Sequence, residues 1–484
     1  MTTINQVPVA PAPPERFRAL IGDEYRSVEQ AIERARRLLT GRVVWHVNST
    51  ARGGGVAEML QSLLAYARGA GVDVRWATIT GDDEFFRVTK RIHNNLHGAP
   101  GDGGDLGERE RAIYEDALTR NAGELAGLVR AGDIVYLHDP QTAGLTRALQ
   151  PLGVRVVWRC HVGLDRPNEL ARAAWEFMRP YVQEADACVF SRRAFAWDGL
   201  DEDRLWLVAP SIDAFSAKNQ EIEPEAVRAI LGRAGLAEDG GEAPVFRRED
   251  GTRGRVDRPA ELDQEGPIPA DAPLVAQVSR WDRLKDPAGV LRAFARHCRH
   301  PDAHLLLAGP SVAEVTDDPE GAEVLGEIRA QRRALDPNCM SRVHLACLPM
   351  DDVEENAVIV NAVQRRADVV VQKSLAEGFG LTVAEAMWKA RPVVASRIGG
   401  IQDQIVDGES GLLLDDPTDP AAAATAIDGL LDDPHRAREM GVAARERVRG
   451  SFLGTRHLVQ YMQLIEGMLS GPQGAGRDTK SLPS

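Results

Sequence analysis

Residues 369–389, VVVQKSLAEGFGLTVAEAMWK, join an apolar run to a glycine-bearing loop and then to the start of a helix. Three consecutive valines predict a buried strand, and Gly378 and Gly380 allow the following loop to pass close to a ligand. Thr382 and Glu385 have the spacing of a capping box, which predicts that Thr382 is the N-cap of the helix. The stretch therefore predicts one strand–loop–helix unit.

Eleven further apolar runs predict strands, and helical stretches separate them. The twelve predicted strands are Val43–Val47, Val72–Trp76, Ile134–Leu137, Val154–Trp158, Cys188–Phe190, Leu205–Val208, Leu274–Val278, His304–Leu307, Val343–Cys347, Val369–Val371, Val393–Ala395 and Gly411–Leu414. This alternation is typical of βαβ units on a parallel sheet. More than ten strands exceed one doubly wound domain, so we predict an α/β protein with two Rossmann-like, doubly wound parallel-sheet domains. Ligands of such sheets bind beyond the carboxyl ends of the strands, and the chemistry is expected in the loops there.

The boundary between the two domains is predicted in the polar, charged and Gly/Pro-rich stretch before Leu274. We divide the chain into an N-terminal extension and helix (1–40), a first domain (41–215), a linker with a charged insertion (216–273), a second domain (274–455), a C-terminal helix (456–470) and a loose tail (471–484). The Pro-rich residues 1–15 are predicted to be disordered. Ser27 and Gln30 form a capping-box pattern that predicts a helix from Ser27 to Leu39, and Asp250-Gly251 predicts a hairpin turn within the insertion.

The composition excludes several classes of protein. The 484 residues are 43% hydrophobic and 27% charged, with a formal net charge of −14, which argues against a broad nucleic-acid or membrane footprint but leaves room for a local basic cluster. The five Cys include no C-x-x-C pair, so neither a disulfide framework nor a standard zinc site is predicted. The N-terminus lacks the pattern of a signal peptide and no run of about 18 apolar residues occurs, so we expect a cytoplasmic protein.

The first candidate site is the loop at residues 48–56, NSTARGGGV, between a strand and a helix. Its three glycines let the backbone approach a ligand closely, and a helix N-terminus offers N–H groups to an anion. The loop is neither a P-loop nor a G-x-G-x-x-G fingerprint. A tight turn without a ligand is the equally supported alternative.

The second candidate site is VSRWDRLKDP, residues 278–287, directly after a predicted strand. Arg280 and Lys285 would clamp a diphosphate leaving group by neutralising the charge that develops as its bond breaks. Two solvated cations on a loop are the alternative, and the commoner case. Only six of the 58 basic residues are Lys, and this scarcity favours a function for Lys285.

The third candidate site contains two carboxylates. Glu377 precedes the glycines on a loop at a strand end, where a carboxylate can accept hydrogen bonds from sugar hydroxyls. Glu385 has the structural explanation of a capping box. The two are eight residues apart, but spacing across a loop does not fix the separation of their oxygens, so no glycosidase-type double displacement is inferred.

The fourth group consists of polar residues behind two further strands, in the stretches HDPQ (138–141) and RCH (159–161). Asp139 and Gln141 supply the acceptors and donors that polyol hydroxyls need. A histidine at such a place is more often structural than functional, and this remains the alternative for His138 and His161.

These blocks together resemble glycosyltransferase family 4. The EGFGLxxxE stretch at 377–385 has the E-x₇-E form of that family, and Arg280 with Lys285 fits its paired basic diphosphate contacts. Within the family, five blocks in order are similar to the trehalose glycosyltransferring synthases over residues 43–465: HVNSTxxGGGVAE, GDDxFFxVTKxxHN, HDPQ, VSRWD and QKSxxEGFGLTVxEAMWK.

The resemblance implies the GT-B fold, in which a first, acceptor domain and a second, nucleotide-sugar domain face a central cleft and the last helix crosses back to the first domain. It implies reversible transfer of glucose from a nucleoside-diphosphate glucose to free glucose, giving trehalose with retention of configuration and without a cofactor or metal. Retention in this family is drawn as a same-face substitution in which the leaving phosphate oxygen takes the acceptor proton, so no protein nucleophile is expected. The expected partners are these small molecules, with no nucleic acid and no membrane, and a homodimer is the assembly state to test.

The resemblance also implies roles for individual residues. Catalytic roles fall to Glu377, Arg280, Lys285 and His161, donor binding to Gly53, Gly54, Gly55, Gly378, Phe379, Gly380, Leu381, Thr382 and Glu385, and acceptor binding to Asn48, Asp139, Gln141 and Arg159, with no metal ligand. In these roles Arg280 and Lys285 hold the donor diphosphate, Glu385 binds the ribose hydroxyls and Glu377 binds the transferring glucose. His161 lies near the anomeric centre and helps to orient sugar.

Several alternatives remain open. A retaining trehalose phosphorylase would use inorganic phosphate in place of the nucleotide, another family 4 transferase would use another small acceptor, and a non-catalytic protein would only bind sugar nucleotides. The charged insertion around 238–270 is longer than expected of compact members, which leaves domain spacing and acceptor choice open. A Rossmann oxidoreductase is disfavoured because no G-x-G-x-x-G follows any predicted strand. The sequence does not indicate whether ADP, UDP or GDP is preferred.

Overall fold

The computed structural model describes residues 4–51, 54–238, 241, 243–312 and 319–470. The chain divides into two units, the first comprising Met1–Ser211 with Ser451–Ser484 and the second Ile212–Gly450. Each unit is built around its own seven-stranded sheet. The tail at 471–484, predicted to be loose, lies outside the described residues. Among the residues that are described, no helix is both long and apolar enough to cross a membrane.

The first unit has seven strands and eight helices before the chain leaves it. The strands are β1 (Ile4–Val7), β2 (Val44–Asn48), β3 (Val74–Ile79), β4 (Ile134–His138), β5 (Arg155–Cys160), β6 (Ala187–Phe190) and β7 (Leu205–Leu207). The helices are α1 (Arg18–Ile21), α2 (Tyr25–Leu38), α3 (Gly55–Gly69), α4 (Asp83–Leu96), α5 (Glu108–Ala126), α6 (Asp139–Thr142), α7 (Thr146–Leu149) and α8 (Glu169–Val182). The strand order is β1-β3-β2-β4-β5-β6-β7, and only β1 runs antiparallel to its neighbour. Because β3 and β4 lie on opposite sides of β2, the loops after β2 and β4 flank the point where doubly wound sheets bind ligands.

The second unit repeats this plan. Its strands are β8 (Val245–Arg247), β9 (Arg253–Arg255), β10 (Glu261–Asp263), β11 (Leu274–Val278), β12 (His304–Pro310), β13 (Val343–Leu348), β14 (Val369–Gln372), β15 (Val393–Ser396) and β16 (Leu412–Leu414). Its helices are α9 (Pro224–Arg233), α10 (Pro287–His297), α11 (Pro319–Arg333), α12 (Pro337–Met340), α13 (Val353–Arg366), α14 (Leu381–Trp388), α15 (Ile401–Gln404), α16 (Pro420–Leu431) and α17 (Pro434–Ser451). The sheet order is β10-β13-β12-β11-β14-β15-β16, with β10 antiparallel, and β8 pairs only with β9. The order reverses at β11, so the loops after β11 and β14 flank the expected ligand position.

Helices cover both faces of the first sheet. One core cluster contains Phe85 of α4, Tyr114 of α5 and Trp175 of α8. The other contains Leu60 of α3 and Met462 of α18 (Gly454–Ser470), a helix that also packs against α2. Since both faces are buried, the strands read as continuous apolar runs rather than alternating ones, which is why the sequence located them.

All twelve predicted strands are present, but the prediction of disorder is wrong for residues 4–15, and residues 1–3 lie outside the described part of the chain. Residues 4–7 form β1, and Ala12 N–H donates to the carbonyl of Ala65 at 2.9 Å, so backbone pairing holds a segment that lacks a long apolar run. The predicted start of α2 at Ser27 is also wrong. Helix α2 begins at Tyr25, and Ser27 Oγ donates to the carbonyl of Glu24 at 2.8 Å instead of capping the helix.

The charged insertion is anchored to the second unit rather than being a plain linker. The predicted hairpin is β8–β9, and Arg248 at its turn pairs with Asp352 at 2.6 Å and with Glu354 at 2.8 Å. Glu355, which is buried, accepts hydrogen bonds from the backbone N–H groups of Asp257 and Arg258. Strand β10, which was not predicted, adds an antiparallel edge to the sheet.

Candidate functional site

The loops after β11 and β14 meet where the sheet order of the second unit reverses. Lys285 Nζ lies 2.6 Å from Glu377 Oε2, and the two side chains are only 17% and 11% exposed. The backbone joins the same loops, because Leu375 N–H donates to the carbonyl of Leu284 at 2.7 Å. Two of the candidate motifs therefore form one site.

Local hydrogen bonds fix the position of Lys285. It ends the 3-10 turn Arg283–Lys285, which Asp282 caps by accepting from Leu284 N–H at 2.7 Å. Gln277 on β11 donates to the carbonyl of Lys285 at 2.8 Å. Arg280, from the same loop, is 57% exposed and pairs with Asp282 at 3.0 Å. Lys285 is thus held in place within the site, while Arg280 is more exposed and pairs within its own loop.

A buried ion pair lies between the two loops and was missed from the sequence. Lys373 Nζ bonds Asp286 Oδ2, and both residues are buried. Asp286 has φ +47°, and its other oxygen caps α10 by accepting from Gly289 N–H at 2.9 Å. A buried carboxylate needs a cation beside it. Because lysine is rare in this chain, its use at position 373 was the available signal that Lys373 has such a role.

Hydrogen bonds fix the orientation of the peptide groups in the glycine loop. The carbonyl of Gly378 accepts from Gly400 N–H at 2.9 Å, and the carbonyl of Phe379 accepts from Gln404 Nε2 at 2.6 Å. In a trans peptide the carbonyl and the next N–H point in opposite directions, and the described residues contain no cis bond. The N–H groups of Phe379 and Gly380 therefore point away from these supports, as a site for ligand oxygens requires.

The predicted capping box at Thr382 is wrong. Helix α14 begins at Leu381, and Gly380, with φ +82°, is its N-cap without any side-chain cap. Thr382 Oγ1 instead donates to Gln372 Oε1 at 3.2 Å. Gly380 has a left-handed conformation, which only glycine adopts easily, and this conformation makes the helix begin before Thr382. Glu385 consequently loses its structural explanation as a capping residue, and the N-terminus of α14 is available to an anion.

Glu385 is a buried carboxylate with lysines around it. It is 3% exposed, and its Oε1 lies 3.8 Å from Lys218 Nζ. One turn further along α14, Lys389 Nζ donates to Asn219 Oδ1 at 2.9 Å and to the carbonyl of Glu385 at 3.0 Å. Burial lowers the pKa of Lys389, and the charge of Glu385 only partly offsets this effect. Lys218 was not predicted as part of the site, although it is one of only six lysines.

Gly399 supports the loop that carries Glu377, and a methyl group there is expected to disturb it. The residue has φ +48°, and a Cβ would lie 1.9 Å from the carbonyl oxygen of Glu377. We expect Gly399→Ala to lower the free energy of unfolding by about 2 kcal/mol or more and to slow sugar transfer at least tenfold. Urea unfolding and initial rates measure both effects.

The matched control is Gly429→Ala, in the last turn of α16, where a Cβ meets nothing within 4 Å. It is expected to leave activity unchanged and to stabilise by about 0.5–1 kcal/mol. Equal behaviour of the two variants would contradict the supporting role of Gly399.

In the first unit, the loop after β2 is shaped by Asn48. Its Oδ1 accepts from Trp76 Nε1 at 2.8 Å and its Nδ2 donates to the carbonyl of Thr50 at 2.6 Å, so the amide is engaged within the protein. Gly54, with φ +85°, is the N-cap of α3, which begins at Gly55 without a side-chain cap. Gly53 lies outside the described residues.

The loops after β4 and β5 bring three candidate residues together. Asp139 has φ +62°, and its Oδ1 accepts from the backbone N–H of His161 at 2.7 Å. Burial raises the pKa of Asp139 to about 7. Arg159 is fully buried, and its Nε donates to His161 Nε2 at 3.1 Å while Nη2 donates to the carbonyl of Val208 at 2.9 Å. Gln141 lies in α6 and is half-buried.

Two buried histidines, His138 on β4 and His46 on β2, extend this cluster from His161 into the sheet. His138 Nδ1 lies 3.2 Å from His161 Nε2, and His138 Nε2 lies 3.0 Å from His46 Nδ1. His46 had no predicted role. It lies at the centre of β2, beside β4, and it opens the HVNSTxxGGGVAE block, which was the signal that could have found it.

Comparison with known proteins gives the family. The model of the trehalose synthase N-terminal domain matches residues 46–197, and that of glycosyl transferases group 1 matches residues 260–447. Trehalose synthase of Rubrobacter xylanophilus is 38% identical over 89% of this chain and 92% of its own. Trehalose synthase of Pyrococcus horikoshii is 34% identical over 94% and 96%. Trehalose phosphorylase of Pleurotus pulmonarius matches at 25%, with only 54% of its length covered.

Solved structures show the same fold. The α,α-trehalose-phosphate synthase (UDP-forming) of Burkholderia xenovorans, in complex with glucose-6-phosphate, superposes with a TM-score of 0.65 at 16% identity, covering 89% of this chain and all of that one. The fold is thus GT-B, as the resemblance implied. The chain belongs to the trehalose synthase family and is a glycosyltransferase, an enzyme of trehalose-related sugar transfer.

Proposed function

We propose that this enzyme transfers glucose from a nucleoside-diphosphate glucose to free glucose, forming trehalose reversibly and with retention of configuration. The observation that carries the proposal is the contact between Lys285 and Glu377 at the reversal of the second sheet. In this proposal Lys285 is the cation for phosphate and Glu377 the carboxylate for sugar hydroxyls, and the contact supports the proposal because the two lie side by side, next to the N-terminus of α14. A nucleotide sugar needs these groups side by side.

The residues of the second unit take distinct parts in this reaction. Lys285 and Arg280 bind the diphosphate and stabilise the charge that it gains on leaving. Glu377 accepts hydrogen bonds from the glucose hydroxyls, and Glu385 binds the ribose. The acceptor hydroxyl oxygen bonds to the anomeric carbon on the face from which the phosphate oxygen departs, and its proton passes to that phosphate oxygen. We propose that no metal is required, because the two cations supply the charge stabilisation.

The phosphorylase alternative replaces the nucleotide with inorganic phosphate, which carries no ribose. Glu385 then has no ligand to bind. The structure removes helix capping as a reason for this buried carboxylate, and the ribose is the ligand that the nucleotide-dependent reaction gives it beside Lys218. The curated trehalose synthases also match at higher identity and over nearly their whole length. We therefore favour the nucleotide-dependent reaction.

The test is to mix each nucleoside-diphosphate glucose with glucose labelled with ¹³C at C1 and to follow the anomeric signals by NMR. The expected product is a 1,1-linked disaccharide with both centres α, formed at an unchanged rate in the presence of EDTA. An inverted centre at the transferred glucose would contradict retention, and loss of activity in EDTA that added metal restores would contradict metal-free transfer. Transfer only to another sugar would assign a different acceptor.

A further inference from the structure

A buried chain of side chains leads to His161 within the first unit. Arg159 Nε and His138 Nδ1 both approach His161 Nε2, at 3.1 and 3.2 Å, and His46 Nδ1 approaches His138 Nε2 at 3.0 Å. Arg159, His138 and His46 are at most 2% exposed. Each contact joins two ring or guanidinium nitrogens, so each has one donor and one acceptor, and their direction has to be decided.

Arg159 decides the direction. A guanidinium stays protonated and its Nε–H can only donate, so His161 Nε2 must accept and the neutral ring carries its proton on Nδ1. That Nε2 has a single lone pair, and His138 can only share it as a second donor, through its own Nδ1–H. Its Nε2 is left to accept, and His46 donates through Nδ1–H. One cation thus fixes the tautomers of three histidines.

The surroundings keep these rings neutral. A proton on His161 Nε2 would face the N–H of Arg159. Burial, together with the positive charge of Arg159, holds the pKa of His161 well below its usual value. Burial likewise lowers the pKa of His46 to about 3. The other titratable groups around the chain are Asp139, Cys160, Tyr136, Arg456, His457 and Tyr461. Asp139 meets His161 through the backbone N–H only.

We propose that Arg159, His138 and His46 are positioning residues that hold His161 as a neutral imidazole with its proton on Nδ1, as a hydrogen-bond donor to a sugar hydroxyl beside the reacting carbon. The hydrogen bond from His161 to a sugar hydroxyl rests on the proposed function. The anomeric carbon gains positive charge as the phosphate leaves, and a neutral donor orients the hydroxyl without opposing that charge. Arg159 acts through His161 in this account instead of contacting the acceptor.

Histidine-selective ¹⁵N NMR of the whole chain tests the tautomers without turnover. The signals of His161 are those lost in His161→Gln, and two-bond couplings distinguish Nδ1 from Nε2. We expect a protonated Nδ1 and an unprotonated Nε2 that stay unchanged from about pH 5.5 to 8, where an ordinary histidine titrates. A proton on Nε2, or titration of His161 in this range, overturns the proposal, whatever the activity.

Two substitutions then separate positioning from packing. Arg159→Lys keeps a donor and is expected to keep the Nδ1–H form of His161 and most of the activity. Arg159→Met removes the donor, so the chain can reverse, and we expect a second His161 tautomer and a fall of about tenfold in kcat/KM. If Arg159→Met leaves the NMR signature of His161 unchanged, Arg159 does not set the tautomer. If no transfer is found but the wild-type signature is as expected, the proposed function fails and the tautomer assignment stands.

Discussion

Lys285→Ala is expected to slow glucosyl transfer about 10²–10³-fold, the usual loss when one group that stabilises transition-state charge is removed. Lys285 ends a capped turn and lies 2.6 Å from Glu377, so its ammonium group is held in one position, as the proposed contact with the diphosphate requires. The substitution leaves the largely buried carboxylate of Glu377 without its cation, so the free energy of unfolding should fall by about 1–3 kcal/mol, which still leaves the fold intact. Initial rates at saturating donor and urea unfolding measure the two effects.

The matched control is Arg283→Ala, which removes a positive charge from the same turn. Arg283 is exposed and pairs with Glu323 at 3.0 Å and Glu327 at 2.9 Å on α11, not with Glu377. Its rate should stay within about twofold of the wild type, because an exposed ion pair contributes little. Near-normal rates for Lys285→Ala, or equal losses in both variants, would remove the diphosphate role of Lys285.

Glu377→Gln is expected to lower kcat about 10²-fold while the free energy of unfolding changes by about 1 kcal/mol or less. The amide keeps the size of the side chain, but it loses the charge that holds Lys285 and one acceptor oxygen for sugar hydroxyls. The carbonyl supports from Gly400 and Gln404 are untouched, so the loop should keep its conformation. Rates with donor and acceptor varied separately show which substrate is affected.

Glu327→Gln is the control for this change, since it removes an equivalent charge from the ion pair of Arg283. We expect it to behave as the wild type in both rate and unfolding. If Glu377→Gln also transfers glucose at the wild-type rate, Glu377 does not bind the transferring sugar. If it unfolds much more easily than Glu327→Gln and loses activity in proportion, its role is structural.

Most of the strands were predictable because they are buried on both faces and therefore read as local apolar runs, while the half-buried edge strands β7 and β16 still consist of apolar residues. Strands β1 and β10 escaped prediction because they are short edges held by backbone pairing with β3 and β13, which leaves no apolar signature in their own residues. The start of α14 was missed for a related reason. A side-chain pattern suggested Thr382, whereas the positive φ of Gly380 determines where the helix begins.

The loops of the candidate site were predictable one by one, but their contacts were not. Lys285 and Glu377 are 92 residues apart, and they meet only because β11 and β14 are neighbours in the sheet. Lys373 and His46 stand in two of the blocks that resemble the family, but the resemblance assigned no role to either residue. Their buried contacts with Asp286 and His138 became visible only in the structure.

The most direct measurement is an incubation of the purified enzyme with trehalose and, separately, ADP, UDP, GDP or inorganic phosphate, with the products read by chromatography. The account predicts a nucleoside-diphosphate glucose and free glucose with at least one nucleotide, and no glucose 1-phosphate with phosphate alone. Glucose 1-phosphate formed from trehalose and phosphate would contradict it and make the enzyme a phosphorylase. No product with any of the four would contradict trehalose and glucose as its substrates.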